Sequence, residues 1–307
     1  MAKVCDTLVL DDDCIMAAPA TPFLTNGDLN LAGFEAYANQ MTSTGIDSLF
    51  VNGTLGEGMS MTVAERKAAL EQWMKVKEGR FKTIIAHCGS GSVRDAIDLA
   101  KHAASVKVDA VAVMCPMLFK PSNIPTLVNY LKVVADQIPE TPFFYYDINV
   151  LTGVIFDTGE VMRQCKAAIG SFSGIKYSCR EMGNYEAGMM ESENGRYKIA
   201  VGAVDEEFLP WLALGAKVTI GQSLMGTTHR ATRTAFLAGD MAAARESQRF
   251  AQKVGIIKRK YGNDIAVSKA LVRMKGVEVG PVRPPLVDLT PEAYDSLQKE
   301  LKEINFL

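Results

Sequence analysis

The feature that most constrains this chain is a rhythm. Short, almost wholly apolar runs begin near Ile15, Ser48, Lys82, Ala110, Pro142, Phe172, Tyr197 and Lys217, about 20 to 34 residues apart. Between them apolar residues fall at helical spacing: in the stretch from Leu31 to Thr44, Leu31, Phe34, Tyr37, Ala38 and Met41 share one face. A strand without polar alternation is covered on both faces, as in a parallel sheet wrapped by helices. Eight strand–helix units in succession predict an α/β fold, a (β/α)8 TIM barrel. The segments STGIDSLFVNG, SVKVDAVAVMC and ALGAKVTIGQS agree with it, each passing from a helix end through a polar residue into an apolar strand.

The chain has 307 residues, more than the roughly 250 such a barrel takes, and the surplus lies beyond Ile220. Apolar spacing there predicts helices near Met241 to Lys258, Asp264 to Met274 and Pro291 to Glu303. The run GPVRPP, Gly280 to Pro285, reads as a stiff linker between the last two, because proline fixes φ and donates no helical hydrogen bond. The expected organisation is a single catalytic domain, with a barrel core over 1–225 and the last barrel helix and a C-terminal helical extension over 226–307.

Charge and motif content exclude several classes of function. The formal net charge is -2, and the densest basic cluster, Lys258, Arg259 and Lys260, reads as a solvated helix end, so no nucleic-acid partner is expected. The opening MAKVCDTLVLDDDC has no small-residue cleavage site, and no run approaches the roughly 18 apolar residues of a membrane span. A cytoplasmic protein without membrane association is expected. Cys5, Cys14, Cys88, Cys115, Cys165 and Cys179 form no CxxC pair and read as buried reduced thiols. His87, His102 and His229 share no HxxxH or HExxH spacing, which argues against a metal site.

In a barrel of this kind the working residues stand at the C-terminal ends of the strands. The second strand ends in Asn52-Gly53-Thr54-Leu55-Gly56-Glu57, the fifth at Tyr146, the sixth at Lys176, and the seventh runs into Val204-Asp205-Glu206. A lysine ending an apolar strand is desolvated, and a desolvated amine can attack a carbonyl; the plainer reading is a rim ion pair. Tyr146 lies one strand away, about 5 Å at backbone level, close enough for a phenol to relay a proton to an imine on Lys176; its plainer reading is packing. The glycine loop lacks the lysine and spacing of a nucleotide loop, so its amides at Thr54 and Leu55, with the Thr54 hydroxyl, suit a carboxylate, or else form only a tight turn. Thr62-Val63-Ala64-Glu65 reads as a capping box for the next helix.

These residues together resemble the N-acetylneuraminate lyase and dihydrodipicolinate synthase family of class I, pyruvate-dependent aldolases. The likeness runs over nearly the whole chain: Thr21-Pro22-Phe23 with Gly27, the GxxGE loop, Tyr146 with Gly153 in YDINVLTG, Gly174-Ile175-Lys176, and GPVRPP. It implies that Lys176 forms an imine with a 2-keto acid, that Tyr146 shuttles a proton, that Thr54 and the amide of Leu55 hold the carboxylate, and that neither metal nor diffusible cofactor is needed. It also implies a homotetramer. Within the family, VNGTxGEG, YxIxxLTG and VDE are similar to the sialic acid lyases, which implies that Ser178, Ala203, Asp205, Glu206 and Gln222 meet the rest of a sialic acid. Leu151 stands where the synthases carry an arginine for a second carboxylate. Leu55, Asn149 and Gln222 depart from the lyase pattern, where threonine, proline and serine are usual. The departures keep two alternatives open, another pyruvate-dependent aldolase or hydratase-aldolase, and a catalytically weak barrel that binds a keto acid.

Overall fold

The computed structural model describes residues 10, 14–202, 205–262 and 264–307; the N-terminal opening, Cys5 and Ala203 lie outside them. Eight parallel strands neighbour one another in chain order and close into a barrel. They are β1 (Ile15–Ala17), β2 (Ser48–Val51), β3 (Thr83–His87), β4 (Ala110–Met114), β5 (Phe143–Asp147), β6 (Phe172–Tyr177), β7 (Lys198–Val201) and β8 (Val218–Gly221). Each begins within one residue of the start expected from the apolar rhythm. Seven of the eight are buried at every position, and β7 departs only at Lys198, so the lack of polar alternation has its physical cause.

The helices are α1 (Gly33–Ser43), α2 (Val63–Lys75), α3 (Val93–Ser105), α4 (Ile124–Ala135), α5 (Asn149–Thr152), α6 (Thr158–Ala168), α7 (Met182–Met190), α8 (Phe208–Ala213), α9 (Gly226–Leu237), α10 (Met241–Arg259), α11 (Asp264–Met274) and α12 (Pro291–Glu303). Side-chain caps set several starts: Thr62 and Glu65 form the expected capping box of α2, Asn123 caps α4 and Thr290 caps α12. In α1, Phe34, Tyr37, Ala38 and Met41 are buried. Leu31 is not: it precedes the helix and is 45% exposed, so it lies off the apolar face. No helix among the described residues is long and apolar enough to cross a membrane.

By contact the described residues fall into two compact units, one of 83–202 with 214–219 and one of 15–82, 205–213 and 220–307. The first holds β3 to β7 and the helices between them. The second holds β1, β2 and the C-terminal helices, whose own core gathers Val254, Leu271, Leu297 and Leu301. At about 1.5–3 kcal/mol for each large aliphatic side chain buried, such a core makes α10 to α12 a firm part of that unit. The basic cluster is a solvated helix end at Arg259 and Lys260, which are exposed, but not at Lys258. Lys258 is buried against Asp264 at 3.2 Å, Arg259 pairs with Glu206, and Lys260 pairs with Glu300. Cys14, Cys88, Cys115, Cys165 and Cys179 are buried thiols outside any disulfide.

Candidate active site

Lys176 and Tyr146 come together as the strand ends predicted. They are register partners on β6 and β5, and Lys176 Nζ lies 4.1 Å from the centroid of the Tyr146 ring. Both are buried, with 5% and 2% of their surface exposed. Burial holds the Lys176 ammonium well below the ordinary lysine range, because a charge loses hydration there. Burial thus favours the uncharged amine, the form in which a lysine can act as a nucleophile. Gly202, just after β7, gives it room: a Cβ there would stand 3.1 Å from Lys176 Cε and collide with Ser178 Oγ. A side chain there would have to displace the Ser178 hydroxyl and press on Lys176.

His87 had no role in the sequence reading, yet its ring meets the Tyr146 ring edge-on, with centroids 5.4 Å apart and planes at 88°. The signal was available, since His87 ends the apolar β3 just as Lys176 stands near the end of β6. Asp147 was also missed. It is buried behind Tyr146 on the opposite face of β5, and burial pushes its carboxyl up to about 6 despite a hydrogen bond from Cys179. Asn149, where the family pattern has proline, donates from Nδ2 to Glu181 at 3.1 Å, so a side-chain bond secures the segment in place of a fixed φ. Leu151 is 53% exposed.

The Asn52–Glu57 loop is bracketed by two residues in the left-handed region, Asn52 at φ 57 and Glu57 at φ 51. Between them Thr54 and Leu55 are half-buried. The Thr54 carbonyl accepts from the Glu57 amide at 3.0 Å, the Gly56 carbonyl accepts from Thr21 Oγ1 at 2.6 Å, and Asn52 Nδ2 donates to the Arg66 carbonyl at 3.0 Å. A loop pinned at both ends presents its middle amides in a fixed geometry, as an anion nest requires.

The residues expected to meet the distal part of a substrate are more divided. Asp205 is buried, its Oδ1 accepting from the Gln222 amide at 3.1 Å and lying 3.2 Å from His229 Nε2. Burial raises its pKa, but His229, Lys258 and the Gln222 amide outweigh that and hold the carboxyl below the usual value. The His229 ring stacks on Phe208 with centroids 4.3 Å apart. Glu206 does not converge with Asp205. Its carboxylate pairs with Arg259 and occupies the space that a side chain at Gly255 of α10 would take. Gln222 Nε2 donates to Asp264 Oδ1 at 3.0 Å. Among the described residues no group of three or more His, Cys, Asp or Glu is placed to hold a metal ion.

Comparison with known proteins places these features in a family context. Residues 12–304 match the model of the Dihydrodipicolinate synthetase family. N-acetylneuraminate lyase A of Xenopus laevis is 35% identical over 298 residues, covering 95% of this chain and 97% of that protein. N-acetylneuraminate lyase of Homo sapiens is 31% identical over 297 residues, covering 95% and 92%. Among solved structures, the Proteus mirabilis N-acetylneuraminate lyase superposes with a TM-score of 0.91 at 29% identity, over 97% of this chain and 99% of that one.

Proposed function

Because the chain belongs to the Dihydrodipicolinate synthetase family, we propose that it is an N-acetylneuraminate lyase, cleaving N-acetylneuraminate reversibly to N-acetylmannosamine and pyruvate. The observation that carries the chemistry is the buried Lys176 amine held over the Tyr146 ring. Lys176 Nζ attacks C2 of the keto acid, and loss of water leaves a protonated imine. Tyr146, helped by the substrate carboxylate, takes the proton of the C4 hydroxyl. The C3–C4 bond then breaks, its electron pair passing into the iminium to give the enamine of pyruvate while the aldehyde departs. Protonation at C3 and addition of water release pyruvate and restore the amine. Every step uses side chains, substrate and water.

Thr54 and the Leu55 amide hold the carboxylate, and Ser178, Ala203, Asp205, Glu206 and Gln222 receive the rest of the sugar acid. Leu55 offers no hydroxyl, so the backbone amides and Thr54 carry that contact. Glu206 and Gln222 are each tied to another side chain, so binding a polyol tail exchanges those bonds for bonds to sugar hydroxyls. That observation favours a second reading, another pyruvate-dependent aldolase or hydratase-aldolase of the family whose substrate lacks the full tail. The proposal extends to one catalytic domain, with a barrel core over 1–225 and an extension over 226–307, in a cytoplasmic homotetramer. The exposed Leu118, Phe119, Val150 and Ile155, at 69–83%, give apolar surface for such assembly. Light scattering tests the assembly, and a mass of one chain would remove it. The activity is tested by pyruvate release from N-acetylneuraminate, with aromatic and deoxy-sugar 2-keto acids beside it and Lys176→Ala as control. Release from N-acetylneuraminate that exceeds the others and is lost in the control supports the first reading. Preference for a tailless acid supports the second.

A further inference from the structure

The Glu57 carboxylate is completely buried, and so is the Lys269 ammonium that meets it at 2.7 Å. Glu57 closes the Asn52–Glu57 loop, whereas Lys269 comes from the middle of α11, in the C-terminal extension. The two belong to the same compact unit. Lys269 Nζ also donates to the Pro281 carbonyl at 2.8 Å and lies 4.1 Å from the centroid of Phe23. The backbone amide of Arg283 donates to Glu57 Oε2 at 2.8 Å, and the Arg283 guanidinium covers Phe23, with Cζ 4.2 Å from the centroid. Arg283 then reaches the Gly27 and Ser60 carbonyls and the capping carboxylate of Glu65. The Arg283 hydrogen bond lowers that carboxyl to about 2. TPF, GxxGE, TxxE and GPVRPP, four motifs scattered along the sequence, therefore meet around a single charged knot.

A buried ion pair contributes little net stability, because desolvating two charges offsets most of their attraction. Its value lies in geometry. Glu57 sits in the left-handed region, which a non-glycine residue adopts only where its surroundings impose it. Its amide donates to Thr54 and its carbonyl accepts from Ser60, while its side chain is gripped by Lys269 and the Arg283 amide. The backbone of Gly56 and Leu55 follows directly from that grip.

We propose that the Glu57–Lys269 pair is a positioning device for the carboxylate loop, so that the C-terminal helices act on substrate binding as well as on folding. The inference rests on the imine reading of Lys176 and on the loop as carboxylate holder. Burial lowers Lys269 to about 8, and the Glu57 carboxylate beside it works against that fall.

The test is borohydride trapping across a pyruvate titration, with thermal unfolding measured on the same full-length preparations: wild type, Glu57→Gln, Lys269→Met and the double variant Glu57→Leu/Lys269→Met. Glutamine preserves shape and the acceptor for the Arg283 amide, and the apolar pair removes both charges at matched volume. The single variants should raise the half-saturating pyruvate concentration by about tenfold or more, while the amount trapped at saturation stays within about twofold. The double variant should recover the thermal midpoint and keep the raised half-saturation. Recovery of both in the double variant would overturn the proposal by reducing the pair to packing, and so would unchanged half-saturation in folded single variants. If the single variants do not fold, the double variant decides on the same criterion. No trapping in the wild type would remove the imine, and the proposal with it. Normal trapping with unmoved variants would remove the proposal alone.

Discussion

Lys176 and Lys269 are the same residue in nearly the same burial, 5% and 0% exposed, each with Nζ 4.1 Å from an aromatic centroid. Their fates differ. At Lys176 burial takes the ammonium well below its ordinary range, whereas at Lys269 the Glu57 carboxylate opposes burial and leaves the value at about 8. At Lys269 the carboxylate 2.7 Å away offsets part of the lost hydration. On the proposed reading one lysine attacks a carbonyl and the other holds a loop.

The sharpest way to break the comparison is to exchange the consequences. Lys176→Met should abolish borohydride trapping and cut pyruvate release by roughly 10⁴-fold or more, since the covalent step is gone. Lys269→Met should leave trapping at saturating pyruvate nearly intact. A Lys269→Met variant that folds yet traps nothing would mean the roles were misassigned. Next in size, Tyr146→Phe should lower turnover by about 10²- to 10⁴-fold while imine trapping persists, which separates proton transfer from imine formation. Loss of both together would give the hydroxyl a part in forming the imine. Smaller again, Gly202→Ala pushes against Lys176 Cε and Ser178, and should slow trapping by about 10- to 100-fold without lowering the thermal midpoint by more than a few degrees.

The smallest effect extends the comparison to carboxylates. Glu57 has a buried cation against it, while Asp147 has chiefly a thiol and a phenol, and its carboxyl rises to about 6. A carboxyl whose folded pKa exceeds its unfolded value favours folding in its protonated form. That contribution is complete below the unfolded value near 3.8 and is lost as pH rises through about 6. Asp147→Asn should therefore stabilise the protein at pH 7, by on the order of 2 kcal/mol. It should also flatten the fall in stability between pH 4 and 6, read by denaturant unfolding at each pH. An unchanged pH profile would show that Asp147 stays ionised.

The barrel was legible because its cause is local: eight apolar runs with no polar alternation have few other ways to be buried. Lys176 and Tyr146 were legible by position, each one residue short of a strand's C-terminal end. His87, the last residue of β3, obeys the same rule. The knot around Arg283 was illegible for a different reason. Gly27, Glu57, Glu65, Lys269 and Arg283 are separated by up to 256 residues, and no local pattern reports which buried carboxylate will meet which lysine. Lys258 departs from its exposed neighbours Arg259 and Lys260 for a related reason, since nothing local reports that it will be buried against Asp264. Glu206 shows the converse: a carboxylate beside Asp205 in sequence turned toward α10, in space left open by Gly255.

Whether Lys176 carries substrate as an imine is decided by one mass measurement. Protein incubated with pyruvate and borohydride at pH 7, then digested, should yield the peptide containing Lys176 enlarged by one reduced pyruvyl group, with Lys269 unmodified. Folded protein in which Lys176 stays unmodified at saturating pyruvate, or in which another lysine takes the label, would contradict the account.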